Sequence, residues 1–306
     1  MSMVTVSGSV LDQYEAFTCY NSPYIAHDNA SAIDLYPGGD FAPSPVTGEV
    51  VDILTVKAPP KPYADDLDHV IVIDTAVTGD GHEHDGIEGS PVARILHVDP
   101  MVEVGDQVRV GDNLGRLVRA GFFAPWVDNH LHLGFRRPDA DPRRAKGSIP
   151  LYLDVSVTPL RWEGAGFVRA TGETYAMLDA PVDSAVVPDD RDWVSLASDG
   201  GSVIDGGLPH YDHGGMLDRI TRDRGRGFAR EGAIVRLLGT EIGVIGERWI
   251  DWDRISILAN DRPITGLSLF CSRWDDFGIK LICPEQDFNV GEEVSVKIVN
   301  ECLDST

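Results

Sequence analysis

Two histidines, His130 and His132, are separated by one residue within the mostly apolar segment 129–135. Residues two apart in a β-strand project from the same face of the sheet, so both imidazoles are expected to point into the same space. They could share a metal ion, or one could bind a metal while the other acts as an acid or base beside it. Alone, the pair is also compatible with two ordinary, partly buried polar side chains.

Two upstream segments contain side chains of the same kind. His27 precedes the segment Ala32–Pro37, which contains Asp34. His97 lies near the end of an apolar segment, and Val104–Gly115 follows it with the pattern Val-Gly-Asp-x-Val. Catalytic zinc takes three protein ligands from His and Asp or Glu and keeps one position for water. The three segments together therefore favour a metal site.

In this order the three segments resemble the lysostaphin/LytM-type zinc endopeptidases, although the glycine-containing run alone also occurs in biotinyl and lipoyl domains. The resemblance implies Zn²⁺ as the cofactor, with His27, Asp34 and His132 as its ligands. It also implies that His97 and His130 lie beside the metal. One of these two would accept the proton of the attacking water, and the other would stabilise the oxyanion. Which of them does which stays open.

The resemblance covers roughly residues 20–137 and departs from the family pattern at one place. The first His and Asp of the family are usually separated by three residues, whereas His27 and Asp34 are separated by six. On a straight strand these two would face opposite sides. Either residues 28–31 bulge outward, which their polar character favours, or Asp28 replaces one of the ligands.

Short β-branched and apolar segments alternate with Gly- and Pro-containing turns along the whole chain, which predicts an all-β protein. A charged, Pro-containing stretch between residues 136 and 150 predicts two domains, residues 1–145 and 146–306. The resemblance implies a barrel-sandwich hybrid fold for the first domain. The second is expected to be β-rich, with one short helix near Met216–Thr221.

The charge balance limits the partners. Twenty-six Lys and Arg face 49 Asp and Glu, for a net charge of -23, and only five of the cations are lysines. Such a surface would repel phosphates, which argues against nucleic acid and anionic membranes as partners. An Asp-rich, Lys-poor surface is also typical of proteins adapted to high salt, where ions screen the self-repulsion.

The four cysteines are scattered, which favours free buried thiols over a disulfide framework or a zinc knuckle, although Cys271 and Cys283 could pair across a hairpin. No signal peptide and no apolar run near 18 residues is present, so a soluble cytoplasmic protein is expected, or a secreted one if a leader has been removed.

The resemblance implies a metallopeptidase in which zinc-activated water hydrolyses a peptide bond, in a peptidoglycan-like cross-link or another amide. The alternative is a catalytically inactive zinc- or peptide-binding module of the same fold. Two further groups of histidines, His82–Asp85 and Leu208–Gly215, are expected to be a solvated hairpin tip and a structured turn. The second could instead form a lid or a weak metal site.

Overall fold

The computed structural model describes residues 2–75, 82–85, 87, 89–144, 146–179, 188–223 and 230–301. Strands make up 48% of the described residues and helices 4%, and one sheet is curled into a half-barrel, which confirms the all-β fold class. No helix in the described ranges is long and apolar enough to cross a lipid bilayer.

The chain divides into two compact units. The first contains residues 1–17 and 25–155, and the second contains residues 18–24 and 156–306. The elements up to residue 155 are β1 Met3–Ser7, α1 Gly8–Leu11, β2 Ala16–Thr18, β3 Ala32–Tyr36, β4 Phe41–Pro43, β5 Gly48–Lys57, β6 Leu67–Asp74, β7 His82–Asp85, β8 Val92–Leu96, β9 Val98–Pro100, β10 Gln107–Val108, β11 Asn113–Leu117, β12 Leu131–Arg136 and β13 Leu151–Asp154.

The elements after residue 155 are β14 Val157–Leu160, β15 Ala165–Thr171, β16 Tyr175–Leu178, β17 Trp193–Leu196, β18 Ile204–Leu208, β19 His213–Met216, the 3-10 helix Leu217–Arg219, β20 Ile234–Leu237, β21 Thr240–Ile245, β22 Ile250–Trp252, β23 Ile255–Ala259, β24 Arg262–Ile264, β25 Gly266–Leu269, β26 Cys271–Arg273, the 3-10 helix Trp274–Asp276, β27 Ile279–Ile282 and β28 Glu293–Asn300. The helical segment predicted near Met216–Thr221 is thus one short 3-10 turn.

The first unit is built on antiparallel strands in the order β10-β5-β6-β8-β12-β3. Two three-stranded sheets, β4-β11-β9 and β13-β1-β7, accompany it. The β-branched run Val70–Ile73, which is typical of a buried strand, lies in the second half of β6, where Ile71 and Ile73 are fully buried. The turn after Val104 adopts positive φ at Gly105 and Gly111, which glycine adopts without steric cost.

Alternation along β12 separates the core from the candidate chemistry. Leu131, Leu133 and Phe135 are fully buried and belong to the hydrophobic core. The residues between them, His132 and Gly134, therefore occupy the opposite face of the strand.

The first unit extends to Val155, beyond the end predicted at residue 145. The reason is that β13 runs parallel to β1, with Val4 opposite Leu151 and Ser7 opposite Asp154. A strand contributed by the residues after the charged stretch therefore completes the first unit. Pro- and Arg-rich composition marks a loop here, and the loop precedes the last strand of the unit.

The second unit contains a sheet with the strand order β20-β21-β22-β19-β18-β25-β27-β16-β15-β28-β23-β24. Its core includes Ile204, Ile242, Ile257 and Leu281, all fully buried. The cysteines of the described residues, at positions 19, 271 and 283, are free and buried.

A buried carboxylate fixes the segment 18–24 within the second unit. Asp205 is fully buried on β18. It accepts hydrogen bonds from the Thr18 hydroxyl and from the backbone N–H groups of Cys19, at 2.6 Å, and Tyr20, at 3.1 Å. Three donors on one ionised group compensate the loss of its hydration.

We expect Asp205→Asn to lower the free energy of unfolding by about 2–4 kcal/mol, because an amide cannot accept from all three donors and hydrogen bonds to a charged group are the stronger ones. Urea unfolding followed by tryptophan fluorescence measures this. Asp275→Asn, at an exposed position, is the matched control and should change stability by no more than about 0.5 kcal/mol. Equal stability of the two variants would show that Asp205 does not hold the segment.

Candidate functional site

Three separate elements bring His27, Asp34 and His132 together. Asp34 lies on β3 directly opposite His132 on β12, so their side chains share a face. His27 comes from the turn that precedes β3. Together they form a group of possible metal ligands whose ligand atoms all lie within 4.8 Å of one another.

A turn resolves the unusual spacing of His27 and Asp34. The chain turns over residues 25–30, with hydrogen bonds from the N–H of Ala30 to the carbonyl of His27 and from the N–H of Ser31 to that of Ala26. Ala30 adopts a left-handed φ of 49° to close the turn. The additional residues therefore leave the strand, and Asp34 rather than Asp28 belongs to the group.

The distances within the group match one triangular face of a tetrahedron. Asp34 Oδ1 lies 2.8 Å from His132 Nδ1 and 3.5 Å from His27 Nε2, and the two nitrogens are 3.2 Å apart. Zinc–nitrogen bonds of about 2.0–2.1 Å in a tetrahedral site separate ligand atoms by roughly 3.3–3.4 Å. The residues present therefore fit a zinc ion, which would replace the proton that His132 Nδ1 donates to Asp34.

Burial sets the charges of these groups. His27 and Asp34 are 1% and 4% exposed. Burial by itself raises the pKa of Asp34, but His27, His130 and His132 together hold it below its usual range. Burial also lowers the pKa of His132 to about 4, against the opposing effect of Asp34. Near neutral pH the group is an anionic carboxylate beside a neutral imidazole, which is the state that a divalent cation requires.

His130 lies beside this triangle. Its Nε2 is 3.4 Å from Asp34 Oδ2, the carboxylate oxygen that is not part of the triangle. Its Nδ1 is 2.9 Å from the backbone carbonyl of Asp128, which can only accept, so Nδ1 carries the proton. Burial is the main cause that lowers the pKa of His130 to about 4. A neutral ring with its proton on Nδ1 leaves the Nε2 lone pair available.

His97 is fixed by Asp68, a residue that the sequence motifs do not include. His97 Nδ1 is 2.6 Å from Asp68 Oδ2, and the backbone N–H of His97 donates to Asp68 Oδ1 at 3.1 Å. Asp68 is fully buried. A signal for it does exist, because an acidic residue at the start of a strongly apolar strand is unusual. Only the pairing of β6 with β8 shows that its partner is His97.

Aromatic side chains complete the wall around the histidines. The Phe123 ring stacks on His130 with 4.5 Å between centroids and meets His97 edge-on at 4.6 Å. Arg119 supports this loop by donating to the carbonyls of Ala124, at 3.3 Å, and Pro125, at 2.8 Å. The His97 and His130 rings are 5.4 Å apart, so the structure brings all five predicted site residues into one cluster.

Two family models match the chain. Residues 5–153 match the N-terminal domain, and residues 158–299 the C-terminal domain, of a family described as "Domain of unknown function (DUF8155)". The chain belongs to the DUF8155 family. No curated protein and no solved structure gives a significant match to it. All five site residues and Asp68 lie within the N-terminal domain of this family, and the resemblance to lysostaphin-type peptidases stays a prediction.

Histidines elsewhere in the described residues have different surroundings. His69 faces Asp99 at 3.8 Å on the partly exposed edge of the first unit. The backbone of His82–Asp85 forms β7, which pairs with β1 rather than forming a hairpin tip, and the side chains of this segment lie outside the described residues. In the second unit, the His210 ring contacts Tyr211 with 4.7 Å between centroids and an angle of 59° between the ring planes.

The loop containing His210 should make stability depend on pH. Burial is the main cause that lowers the pKa of His210 to about 4, and the charge of Lys280 is the smaller cause. The unfolded chain takes up this proton near pH 6.5, whereas the folded loop resists it until about pH 4. Neutral His210 therefore contributes fully to the free energy of unfolding above about pH 6.5. This contribution is lost as the pH falls toward 4, and the loss is at most about 3 kcal/mol.

His210→Gln removes this titration, so its free energy of unfolding should fall less than that of the wild type between about pH 7 and pH 4.5. Urea unfolding at several pH values gives the comparison. Tyr211→Phe alters the same loop without removing a group that titrates in this range, and it should follow the wild-type curve. Parallel curves for wild type and His210→Gln would contradict the assignment.

Proposed function

We propose that the N-terminal domain is a zinc-dependent hydrolase that cleaves a peptide bond or a similar amide. The observation that supports this most directly is the triangle of His27, Asp34 and His132 ligand atoms, whose edges suit one face of a tetrahedral site. Zinc bound there would supply a Lewis acid that polarises the substrate carbonyl and makes water more acidic.

The number of ligands favours a catalytic site over a structural one. Structural zinc is usually enclosed by four protein ligands, whereas catalytic zinc keeps one position open. Among the described residues, the group with mutually close ligand atoms consists of three side chains. His132 is also the most exposed of them, with 12% of its side chain accessible, so the open side is expected near this residue.

His130 is our choice for the proton acceptor. A general base must be unprotonated on the atom that faces the substrate. The hydrogen bond to the Asp128 carbonyl retains the proton on Nδ1, and Nε2 lies on the side of Asp34. His130 therefore holds a lone pair next to the ligand triangle, where it can accept a proton from water and later return it to the leaving amine.

His97 is our choice for the residue that stabilises the developing negative charge on the carbonyl oxygen. Asp68 accepts from Nδ1 of His97 and so leaves Nε2 as the nitrogen available to the substrate. Nε2 can donate to the carbonyl oxygen when the ring carries a proton on both nitrogens. The second hydrogen bond, to the backbone N–H, fixes the residue as well as its ring. Asp68 is a positioning residue, and a pre-oriented donor of this type contributes through electrostatic stabilisation.

The alternative is a catalytically inactive module that binds zinc or a peptide. One observation favours it: His130 Nε2 is only 3.4 Å from Asp34 Oδ2, so a small movement could make His130 a fourth ligand and close the site. A peptidoglycan-like cross-link remains one possible substrate of the active form, on the resemblance alone. The two functions differ in what the removal of His130 does to zinc binding.

We expect metal-free protein to bind one zinc ion per chain, measured by isothermal titration and elemental analysis. Asp34→Ala and His132→Ala should each weaken zinc binding by about 100-fold or more, since each removes one of three ligands. His69→Ala, a histidine outside the cluster, should bind zinc as the wild type does. Unchanged affinity in the two ligand variants would refute the site.

His130→Ala then separates the two functions. The hydrolase predicts that this variant retains zinc but loses about 100-fold or more of its activity on a panel of fluorogenic peptides that includes pentaglycine. A closed structural site predicts that zinc is lost together with His130. If zinc-loaded wild type hydrolyses none of the peptides in the panel, the hydrolase proposal is wrong and the domain is the inactive binding module.

Asp68→Asn tests the positioning of His97. We expect kcat to fall by about 100-fold or more because an amide lacks the negative charge that orients and stabilises the ring when both of its nitrogens are protonated, while zinc affinity stays the same. A structural role alone would not change the pH dependence of kcat, so the pH profile is measured as well. Asp99→Asn, whose side chain is 66% exposed, is the control and should retain full activity.

A further inference from the structure

The face of the sheet that carries His132 continues into two arginines. Gly134 follows His132 on the same face of β12, and Arg94 on β8 lies directly opposite Gly134. Arg136 is the next residue of β12 on that face. Two residues of a strand span roughly 7 Å, so Arg94 lies one step along the sheet from the zinc ligands.

Arg94 is a buried cation without a matching anion. It is 7% exposed, and among the described residues no carboxylate lies within 4.0 Å of its guanidinium group. Its Nε has no hydrogen-bond partner. Burial lowers its pKa, and only the more distant charge of Asp141 opposes this. A buried charge in this state is costly unless something completes its hydrogen bonds.

Arg136 places a second guanidinium group nearby. It is 1% exposed and donates to the Ser148 hydroxyl and to the carbonyl of Arg144. Burial is the main cause that lowers the pKa of Arg136 to about 10, and the charge of Arg94 is the smaller cause. The two arginines therefore repel each other, and the arrangement would be stabilised by an anion between or beside them.

An open groove lies beside the hydroxyl group that Arg136 contacts. A cavity of about 180 Å³ lies between the turn that carries His27 and the loop after β12, and its polar lining is Asn29, Ser31, Lys146 and Ser148. Ser148 is also the partner of Arg136. Gly134 has no side chain to fill this region. A Cβ atom at this position would lie 3.6 Å from both the Ser148 hydroxyl and the Ser31 carbonyl, which is ordinary contact distance. A cavity of this size is smaller than a typical ligand pocket of roughly 300–1,000 Å³ and suits one small terminal group of a ligand.

The local charge differs from that of the rest of the chain. Residues 136–146 contain five Arg and Lys against two Asp, in a chain with a net charge of -23. A basic segment in an acidic protein attracts anions to one place rather than to the whole surface.

We propose that Arg94, supported by Arg136 and Lys146, binds a carboxylate group of the substrate. The fork of a guanidinium group matches a carboxylate with two parallel hydrogen bonds. The spacing of one strand step from the zinc ligands places this carboxylate one or two residues from the bond that is cleaved. The substrate class is therefore a short peptide with a free carboxyl terminus or an acidic residue at that distance. The statement that the ligand is a substrate rests on the proposed hydrolase function.

Binding is tested on metal-free protein, so that the result does not depend on zinc or on activity. The probes are N-acetylglycine and N-acetylglycinamide, which differ in the carboxylate alone, and inorganic phosphate, each titrated by NMR. We expect N-acetylglycine to bind at least 10-fold more tightly than the amide or phosphate. Arg94→Gln should abolish this preference, whereas Arg109→Gln, the same change at an exposed position, should leave it intact.

Arg94→Lys covers the case in which Arg94→Gln does not fold, as judged by circular dichroism. It keeps the charge but loses the fork, so it should bind N-acetylglycine several-fold more weakly than the wild type does. Equal binding of acid and amide, tighter binding of phosphate, unchanged affinity in Arg94→Lys, or an equal loss in Arg109→Gln would each overturn the carboxylate subsite. None of these results would contradict the separate proposal that the N-terminal domain binds zinc and hydrolyses an amide bond.

Discussion

The candidate site depends on one buried anion, the carboxylate of Asp34. With 4% of the residue exposed, the charge can persist only because His27, His130 and His132 surround it. The turn over residues 25–30 and the pairing of β3 with β12 both place an imidazole against this carboxylate. Without a cation, shared protons satisfy the group. A divalent cation would satisfy it better, since Asp34, His27 and His132 can all present lone pairs to it.

The same strand supplies the core and the chemistry. Leu131, Leu133 and Phe135 hold β12 in the hydrophobic core, and the alternation of a strand then fixes where His132 and Gly134 must lie. The packing of these core residues therefore also fixes the position of the site residues. A shift of one residue in the register of β12 would exchange its two faces. The proposed carboxylate subsite follows from the same geometry, because it uses the next residues of the same face.

The sequence predicts the parts of this site that are local and misses the parts that depend on strand pairing. The one-residue spacing of His130 and His132 places both on one face, and the polar residues after His27 indicate the turn. Asp68 is locally unusual as an acidic residue in an apolar strand, but neither its partner nor that of Arg94 can be predicted locally, because their roles arise from the neighbours that β6 and β8 acquire in the sheet. For the same reason, short strands are predictable in the second unit but their order in the sheet is not.

His97 shows how one carboxylate can fix a backbone and a side chain together. The residue adopts a φ of 69°, a left-handed conformation that side chains with a Cβ rarely adopt and that costs on the order of 1 kcal/mol. Asp68 offsets this cost by accepting from both the backbone N–H and the ring. Asp34 and Asp68 thus have separate tasks: the first organises the ligands, and the second orients a ring beside them. In the proposed function, this division would leave Asp34 available to a cation while Asp68 stays engaged with His97.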